Sequence, residues 1–244
     1  YVSQTLATFV ILFPVITRVL ISNNIKIQMV RSTFLFLATF CFFSSLKYLQ
    51  LAQVNAIFQI APLIVTILSF VLLKEAVGKR RWSGVVAGLT GALLIIRPGS
   101  SEFSLNMCLP ALAAMSYASY LVTTKYLSKN ESPATNFLYT SLIGAIISSI
   151  LVPSTWIPIA PGDLFVFGTF GLLGALGHLL IILAFRLIDA SFLAPFTYMQ
   201  LIFGTLWGYL FFFEIPSHFT LLGSILIISA GIFVWQREKQ LKKY

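Results

Sequence analysis

The sequence predicts an all-α polytopic membrane protein with two inverted-topology repeats of five transmembrane helices, the first helix of repeat one being absent from this chain. Three observations predict this fold class. The composition is too apolar for a water-exposed surface, apolar runs of spanning length follow one another, and one pattern of marker residues occurs twice. Together they give nine spans.

Composition identifies lipid as the solvent for most of the surface. Hydrophobic residues make up 58% of the chain, charged residues 9%, and mean hydropathy is +0.94. A soluble domain carries about a quarter charged residues, because its surface faces water. The net charge of +9 does not indicate nucleic acid, since the basic residues lie in short loops and form no stripe. The cysteines, Cys41 and Cys108, lack metal or disulfide spacing and are expected as small buried side chains.

Nine segments are long and apolar enough to cross the bilayer as helices. A span needs about twenty apolar residues, with every backbone hydrogen bond made inside the segment. Segmentation at charges, Pro/Gly and polar clusters predicts spans at 3–22, 30–50, 52–73, 80–97, 105–124, 134–153, 164–186, 190–213 and 219–236. The connections between them are short.

The distribution of Lys and Arg predicts the orientation of these spans. If the C-terminal tail QREKQLKKY is cytoplasmic, only Lys47 and Arg97 among the 16 Lys and Arg fall on the outer side. This asymmetry follows the positive-inside rule. Nine spans then put Tyr1 outside, so we expect one more helix before it.

An internal repeat gives an independent reason to expect that helix. A shift of 139 residues superposes Glu75 on Glu214 and Gly84 on Gly223. Each glutamate closes an apolar helix and is followed by a turn and a glycine-bearing helix. We predict a first repeat at 1–100 with four of its five helices, and a second at 101–244 with five helices and a basic tail.

An odd number of spans per repeat forces the two copies into opposite orientations. Inverted repeats of this kind are typical of secondary transporters, whose substrate site lies near the membrane midplane between the copies. The predicted function is therefore movement of a small solute across the membrane.

The two glutamates have two readings. Glu75 and Glu214 lie where their helices leave the hydrocarbon, and a carboxylate there is solvated, whereas at the bilayer centre it would cost several kcal/mol. They are either boundary residues or participants in gating. Pro62 and Pro195 can each open a helical hydrogen bond, and are candidate hinges.

The same residues resemble a known family. The stretches AQVNAIFQIAPLIVTILSFVLLKE with SGVVAGLTGALLIIRPG, and DASFLAPFTYMQLIFGTLWGYLFFFEIP with LLGSILIISAGI, resemble the EamA-type permeases of the drug/metabolite transporter superfamily. The second block is similar to proteobacterial members in particular, including those similar to S-adenosylmethionine uptake carriers. The resemblance covers the whole chain.

The resemblance implies ten helices with both termini cytoplasmic, in a bacterial cytoplasmic (inner) membrane. It implies a multi-pass carrier, monomeric or homodimeric, that moves a small organic metabolite by alternating access without a cofactor. In the family, the helix absent here helps to line the central cavity.

Polar and aromatic residues inside the spans are the candidates for substrate binding, because lipid-facing positions gain nothing from them. Asn55 and Gln59 lie four apart on one helical face, and Gln200 and Trp207 lie seven apart on another. Tyr198 matches Gln59 through the repeat. The alternative for this cluster is hydrogen bonding between helices.

Two further groups are candidates of the same kind. Tyr117 and Tyr120 could present hydroxyls and rings to the cavity, or could belong to the aromatic belt at the membrane interface. Ser44, Ser45 and Tyr48 are weaker candidates, because a serine in a span often bonds its own helix.

His178 is predicted to be the only ionisable residue deep inside a span. It is either a hydrogen-bonded packing residue or a proton carrier. Because none of the seven acidic residues falls near a span centre, facilitated diffusion or exchange is favoured over proton coupling. Arg186 is expected to snorkel to the interface.

The alternatives to a carrier are a polytopic enzyme acting on a lipid-linked substrate and a membrane subunit that does not transport by itself. An enzyme is disfavoured because the sequence has no H-x-x-x-H, no paired aspartates and no G-x-S-x-G. No catalytic residue, metal site or nucleic-acid partner is therefore predicted. Aromatic and neutral polar residues suit an amino acid, a nucleoside-like compound or S-adenosylmethionine better than a phosphate ester.

Overall fold

The computed structural model describes residues 1–75, 78–97, 103–151, 158, 160–188, 190–193 and 199–241. Over these ranges the chain is all-helical and contains no strand. Twelve α-helices occur in them: α1 Val2–Leu12, α2 Ile16–Val19, α3 Ile25–Ser45, α4 Leu51–Phe58, α5 Ala61–Leu72, α6 Lys79–Ile96, α7 Cys108–Leu127, α8 Pro133–Leu151, α9 Asp163–Leu187, α10 Ala190–Leu193, α11 Met199–Phe212 and α12 His218–Leu241.

The helices have the length and composition that a membrane protein needs. Six described segments are long and apolar enough to cross a bilayer: Val2–Val19, Ile25–Ser45, Leu51–Leu72, Leu105–Leu127, Pro133–Leu151 and Asp163–Leu187. Three shorter apolar helices are Trp82–Ile96, Met199–Phe212 and His218–Phe233. Each of these segments overlaps one of the nine predicted spans.

Two predicted spans are interrupted at prolines. The span predicted at 3–22 breaks at Pro14, which opens a short 3-10 turn between α1 and α2. The span predicted at 52–73 breaks after Phe58 and resumes at Ala61, with Pro62 in the first turn of α5. A proline has no N–H for the carbonyl four residues earlier, so neither helix runs through unchanged.

The span predicted at 30–50 is displaced. The helix in the structure, α3, begins and ends five residues earlier, at Ile25 and Ser45. The prediction placed Lys26 and Arg31 in a loop because it used charges as boundaries. Both residues lie inside the helix, and the Arg31 side chain is 0% exposed.

The chain forms two compact units. Unit 1 comprises Tyr1–Phe36 and Thr123–Asp189, and unit 2 comprises Leu37–Val122 and Ala190–Tyr244. The core of unit 1 is the apolar cluster Leu12, Val19, Phe137, Leu138, Ala175 and Ile182. Unit 2 has two such clusters, one of Ala56, Ile57, Ala92, Ile95, Met107, Leu201 and Ile227, the other of Cys41, Phe58, Ala61, Ala113 and Ala114. Cys41 is buried as predicted, but Cys108 is exposed at the start of α7, so that expectation was wrong for Cys108.

Helix boundaries in unit 2 also recur at a spacing of 139 residues. Leu51 begins α4 and Ala190 begins α10, while Lys79 begins α6 and His218 begins α12. Lys74 and Phe213, again 139 apart, both have left-handed backbone, with φ of 55° and 53°. The glutamate after each donates its N–H to the carbonyl six residues earlier, at 3.2 Å in both cases.

Candidate functional site

The helix α4 in unit 2 presents the candidate polar residues. Asn55 is 3% exposed and Gln59 is 1% exposed, which is rare for amides unless they have polar neighbours. Gln59 is the C-cap of α4, and its backbone N–H bonds to carbonyls of the last turn. The early end of α4 therefore leaves Gln59 at the interruption before Pro62, inside the unit rather than at a membrane surface.

Two residues singled out from the sequence meet across helices. Gln200 of α11 donates from Nε2 to Oδ1 of Asn55 at 3.4 Å, and Asn55 donates from Nδ2 to the Leu51 carbonyl at 2.9 Å. Gly204 of α11 makes the approach possible, because a Cβ on it would lie 2.5 Å from Nδ2 of Asn55. The pair thus depends on a glycine one turn beyond Gln200.

Aromatic rings continue this surface within unit 2. The ring of Phe58 on α4 lies 5.3 Å from that of Tyr117 and 5.3 Å from that of Phe42, and the rings of Tyr117 and Tyr120 are 5.9 Å apart. Tyr120 is fully buried and Tyr117 half-buried. α4 therefore carries amide groups and an aromatic cluster within one turn of each other.

Glu214 is bonded to the same helix. Its Oε2 accepts a hydrogen bond from the N–H of Ala52, in the first turn of α4, at 3.3 Å. Gly208 of α11 lies beside this carboxylate, since a Cβ there would lie 3.3 Å from Oε2. Glu75, its counterpart 139 residues earlier, is half-buried after Lys74.

Other predicted candidates take different positions. Ser45 is fully buried and donates to the Phe42 carbonyl of its own helix at 2.6 Å, which is the local bond common for a serine in a span. Ser44 is half-buried, and Tyr48 is 62% exposed. Trp207 is 47% exposed, and its ring stacks on Phe211 of the same helix at 5.4 Å rather than on the Asn55–Gln200 pair.

Three candidates fall elsewhere. Tyr198 and Pro195 lie outside the described residues. His178 is half-buried on α9 and belongs to unit 1. Arg31 acts electrostatically on it. His178 is therefore not the only ionisable residue inside a helical span, because Arg31 lies buried in α3.

A buried polar cluster in unit 1 escaped the sequence reasoning. Arg31 donates to the Asn136 carbonyl at 2.5 Å, to Oγ1 of Thr140 at 2.8 Å and to Oγ1 of Thr124 at 3.3 Å. Gln28 donates to Oδ1 of Asn136 at 2.6 Å. The available signal was the spacing of three between Gln28 and Arg31, and of four between Asn136 and Thr140, which puts each pair on one helical face.

We name this cluster the polar seam. It comprises Gln28, Arg31 and Ser32 of α3, Thr124 of α7, and Asn136, Tyr139 and Thr140 of α8, where Ser32 donates to the Tyr139 carbonyl at 3.0 Å. At its end, the carboxylate of Glu131 accepts from Oγ of Ser22 at 2.8 Å and from the N–H of Asn24 at 2.9 Å. The seam joins α3 to α7 and α8.

Comparison with known proteins identifies the family. The EamA-like transporter family profile matches residues 2–97 and 105–236. The chain is 33% identical over 186 residues to a riboflavin transporter of Vibrio cholerae, covering 75% of this chain and 62% of that protein. It is 28% identical over 179 residues to an S-adenosylmethionine uptake transporter of Rickettsia bellii, covering 73% of this chain and 62% of that protein.

A longer match extends along nearly the whole chain. A riboflavin transporter of Brucella anthropi is 28% identical over 250 residues, covering 98% of this chain and 86% of that protein. A solved crystal structure of a protein with 20% sequence identity superposes with a TM-score of 0.69, covering 98% of this chain and 86% of that one. The chain spans about six tenths of the length of the first two curated relatives, and its fold is that of the solved structure. By the profile that covers nearly all of it, this chain is a multi-pass membrane protein that belongs to the EamA-like transporter family.

Proposed function

We propose that this protein is a membrane carrier that moves a small organic metabolite with a planar, polar ring system across a bacterial inner membrane by alternating access. The observation that carries the proposal is the surface of α4, where the amides Asn55 and Gln59 lie within a turn of the aromatic cluster of Phe58, Tyr117 and Tyr120. Amide groups can hydrogen-bond the edge of a ring, and aromatic rings can stack on its face.

The names of relatives support a solute of this class. Riboflavin and S-adenosylmethionine both contain a fused heteroaromatic ring with a polar substituent, and relatives named for each match most of this chain. The residues around α4 are neutral, which suits such a ring and not a multiply charged phosphate ester. We propose the Asn55–Gln200 pair and Gln59 as groups that read the ring edge, with Tyr117 and Tyr120 beside its face.

The repeat supports the alternating-access part of the proposal. Helix starts and the two glutamate-bearing helix ends in unit 2 recur at one spacing of 139 residues. Two similar copies in opposite orientations would let one rock against the other around a fixed site. In this scheme the interruptions at Pro62 and, by the repeat, at Pro195 are proposed hinges.

The test is solute uptake by the purified protein in liposomes. We expect riboflavin or S-adenosylmethionine, offered separately with aromatic amino acids as further solutes, to accumulate inside chemically unchanged, above the level in protein-free liposomes. Chemical alteration of the solute would favour the membrane enzyme instead. A protein that binds none of these compounds in a thermal-shift assay and moves none of them contradicts the proposal.

The proposed orientation, with the C-terminus cytoplasmic, can be checked by cysteine labelling. Gly78 and Gly162 are suitable positions, because both are exposed and a Cβ on either would meet no atom within 4 Å. In a background carrying Cys108→Ser, which removes the exposed native thiol, Gly78→Cys should react only from the cytoplasmic side and Gly162→Cys only from outside. The reverse result would overturn the orientation.

A further inference from the structure

We infer that Glu214 is a positioning residue for the solute site: its carboxylate holds the first turn of α4 and thereby sets the position of Asn55. The inference rests on the proposed function, because it takes Asn55 as part of that site. It replaces the reading of Glu214 as a boundary residue in contact with water only.

The backbone at the end of α11 aims the side chain. Phe213 takes left-handed φ of 53°, which is uncommon for a bulky residue, and the N–H of Glu214 returns to the Gly208 carbonyl at 3.2 Å. A left-handed residue at a helix end reverses the chain and satisfies a terminal carbonyl. The carboxylate of Glu214 is thereby turned back alongside α11 instead of extending away from it, and it lies beside Gly208.

The carboxylate then meets a helix start that needs an acceptor. The first N–H groups of a helix have no partner within the helix, and the N-cap residue Gln50 makes no side-chain bond to them. Oε2 of Glu214 accepts from the N–H of Ala52, whose residue is 1% exposed. A negative charge at this end also interacts favourably with the helix dipole.

The first turn of α4 is bonded directly to Asn55. Asn55 donates to the carbonyl of Leu51, the neighbour of Ala52, and accepts from Gln200 on α11. Two glycines one turn apart on α11, Gly204 and Gly208, make room for Asn55 and for the Glu214 carboxylate. A shift of the first turn of α4 would therefore move Asn55 relative to Gln200.

The test is a double-mutant cycle on uptake by the protein in liposomes, using riboflavin and S-adenosylmethionine as probes. We expect Glu214→Gln to raise the half-saturating concentration about 3- to 10-fold with little change in maximal rate, from loss of the charge at the helix start. Asn55→Ala should raise it about 5- to 150-fold. The double variant should resemble Asn55→Ala alone, because Glu214 acts through Asn55.

The control is Glu131→Gln, the same chemical change to a carboxylate bound in unit 1 by Ser22 and Asn24. It should leave the half-saturating concentration unchanged. If the effects of Glu214→Gln and Asn55→Ala instead multiply in the double variant, Glu214 has only a general structural role and the inference is wrong.

A second measurement tests the contact without transport. Hydrogen–deuterium exchange of the Ala52 amide should quicken about 2- to 30-fold in Glu214→Gln and stay unchanged in Glu131→Gln. Unchanged exchange in Glu214→Gln overturns the inference whether or not solute is moved. Absence of uptake by the wild-type protein, with the exchange effect present, contradicts the proposed function and leaves the contact between Glu214 and α4 established.

Discussion

The two compact units hold their helices together by opposite means. In unit 1, α3 reaches α7 and α8 with long polar side chains, and the polar seam contains a fully buried arginine. In unit 2, helices approach because side chains are missing: a Cβ on Gly223 of α12 would lie 2.5 Å from the Gly91 carbonyl of α6, and a Cβ on Gly204 of α11 would lie 2.5 Å from Asn55 of α4. We call the Gly91–Gly223 and Gly204–Asn55 contacts the glycine seams.

The difference shows two answers to one physical problem. Lipid tails are as apolar as leucine, so apolar burial does not drive helices together in a bilayer, and association depends on close packing and interhelical hydrogen bonds. Unit 1 uses hydrogen bonds with directional partners, whereas unit 2 uses close backbone approach. Because the amides of unit 2 are not consumed by a dense network of this kind, we assign the solute site to unit 2 and a structural role to the polar seam.

The largest expected effect is on the polar seam. Arg31→Ala removes three printed bonds to α7 and α8 and leaves a cavity, so we expect a loss of about 2–5 kcal/mol in the free energy of unfolding. Arg31→Met, which keeps most of the volume, should lose less. Thermal unfolding in detergent measures both. Equal stability of Arg31→Ala and wild type would contradict the assignment of Arg31 to the seam.

A somewhat smaller effect is expected at the glycine seam between α6 and α12. In Gly223→Ala the new Cβ meets the Gly91 carbonyl and Ile95, which belong to backbone and a packed side chain, so the helices must separate. Overpacking of this kind costs about 1–3 kcal/mol. The matched control is Gly177→Ala on α9, where a Cβ meets nothing within 4 Å. The same unfolding temperature for both variants would show that this close approach is unimportant.

The smallest stability effect is expected for a single bond of the polar seam. Gln28→Leu removes the bond to Asn136 at 2.6 Å while keeping an apolar side chain of similar size. Interhelical hydrogen bonds in membranes contribute about 0.6 kcal/mol on average and up to about 1.7. A loss in that range should appear in thermal unfolding, and solute affinity should stay unchanged. A changed affinity at wild-type stability would place Gln28 in a binding site instead.

The sequence predicted helices well and their partners poorly. All nine spans have helical counterparts, because composition and spacing determine which stretches suit a bilayer. Arg31 was misplaced because a charge is ordinarily a boundary signal, and only the neighbouring Thr140 and Asn136 carbonyl make it acceptable inside a helix. Such partners come from another helix, and no local pattern shows which helix that will be.

The candidate site divides in the same way. Asn55 and Gln200 stand out in the sequence as amides in apolar runs, and the structure brings them together through Gly204. Glu214 also stands out, but its bond to Ala52 depends on the reversal at Phe213, which no sequence pattern there announces because left-handed residues are usually glycine. Trp207 shares a helix with Gln200, yet its ring stacks on Phe211.

The measurement that tests the central claim most directly compares Gln200→Ala with Gln28→Leu, one glutamine from each unit, in uptake and in thermal unfolding. We predict that Gln200→Ala raises the half-saturating solute concentration about 5- to 150-fold at near-wild-type stability, because a bound ligand loses a buried hydrogen-bonding group worth about 1–3 kcal/mol. Gln28→Leu should lower stability at unchanged affinity. The opposite pattern, with affinity lost in Gln28→Leu and only stability lost in Gln200→Ala, would contradict the assignment of the solute site to unit 2.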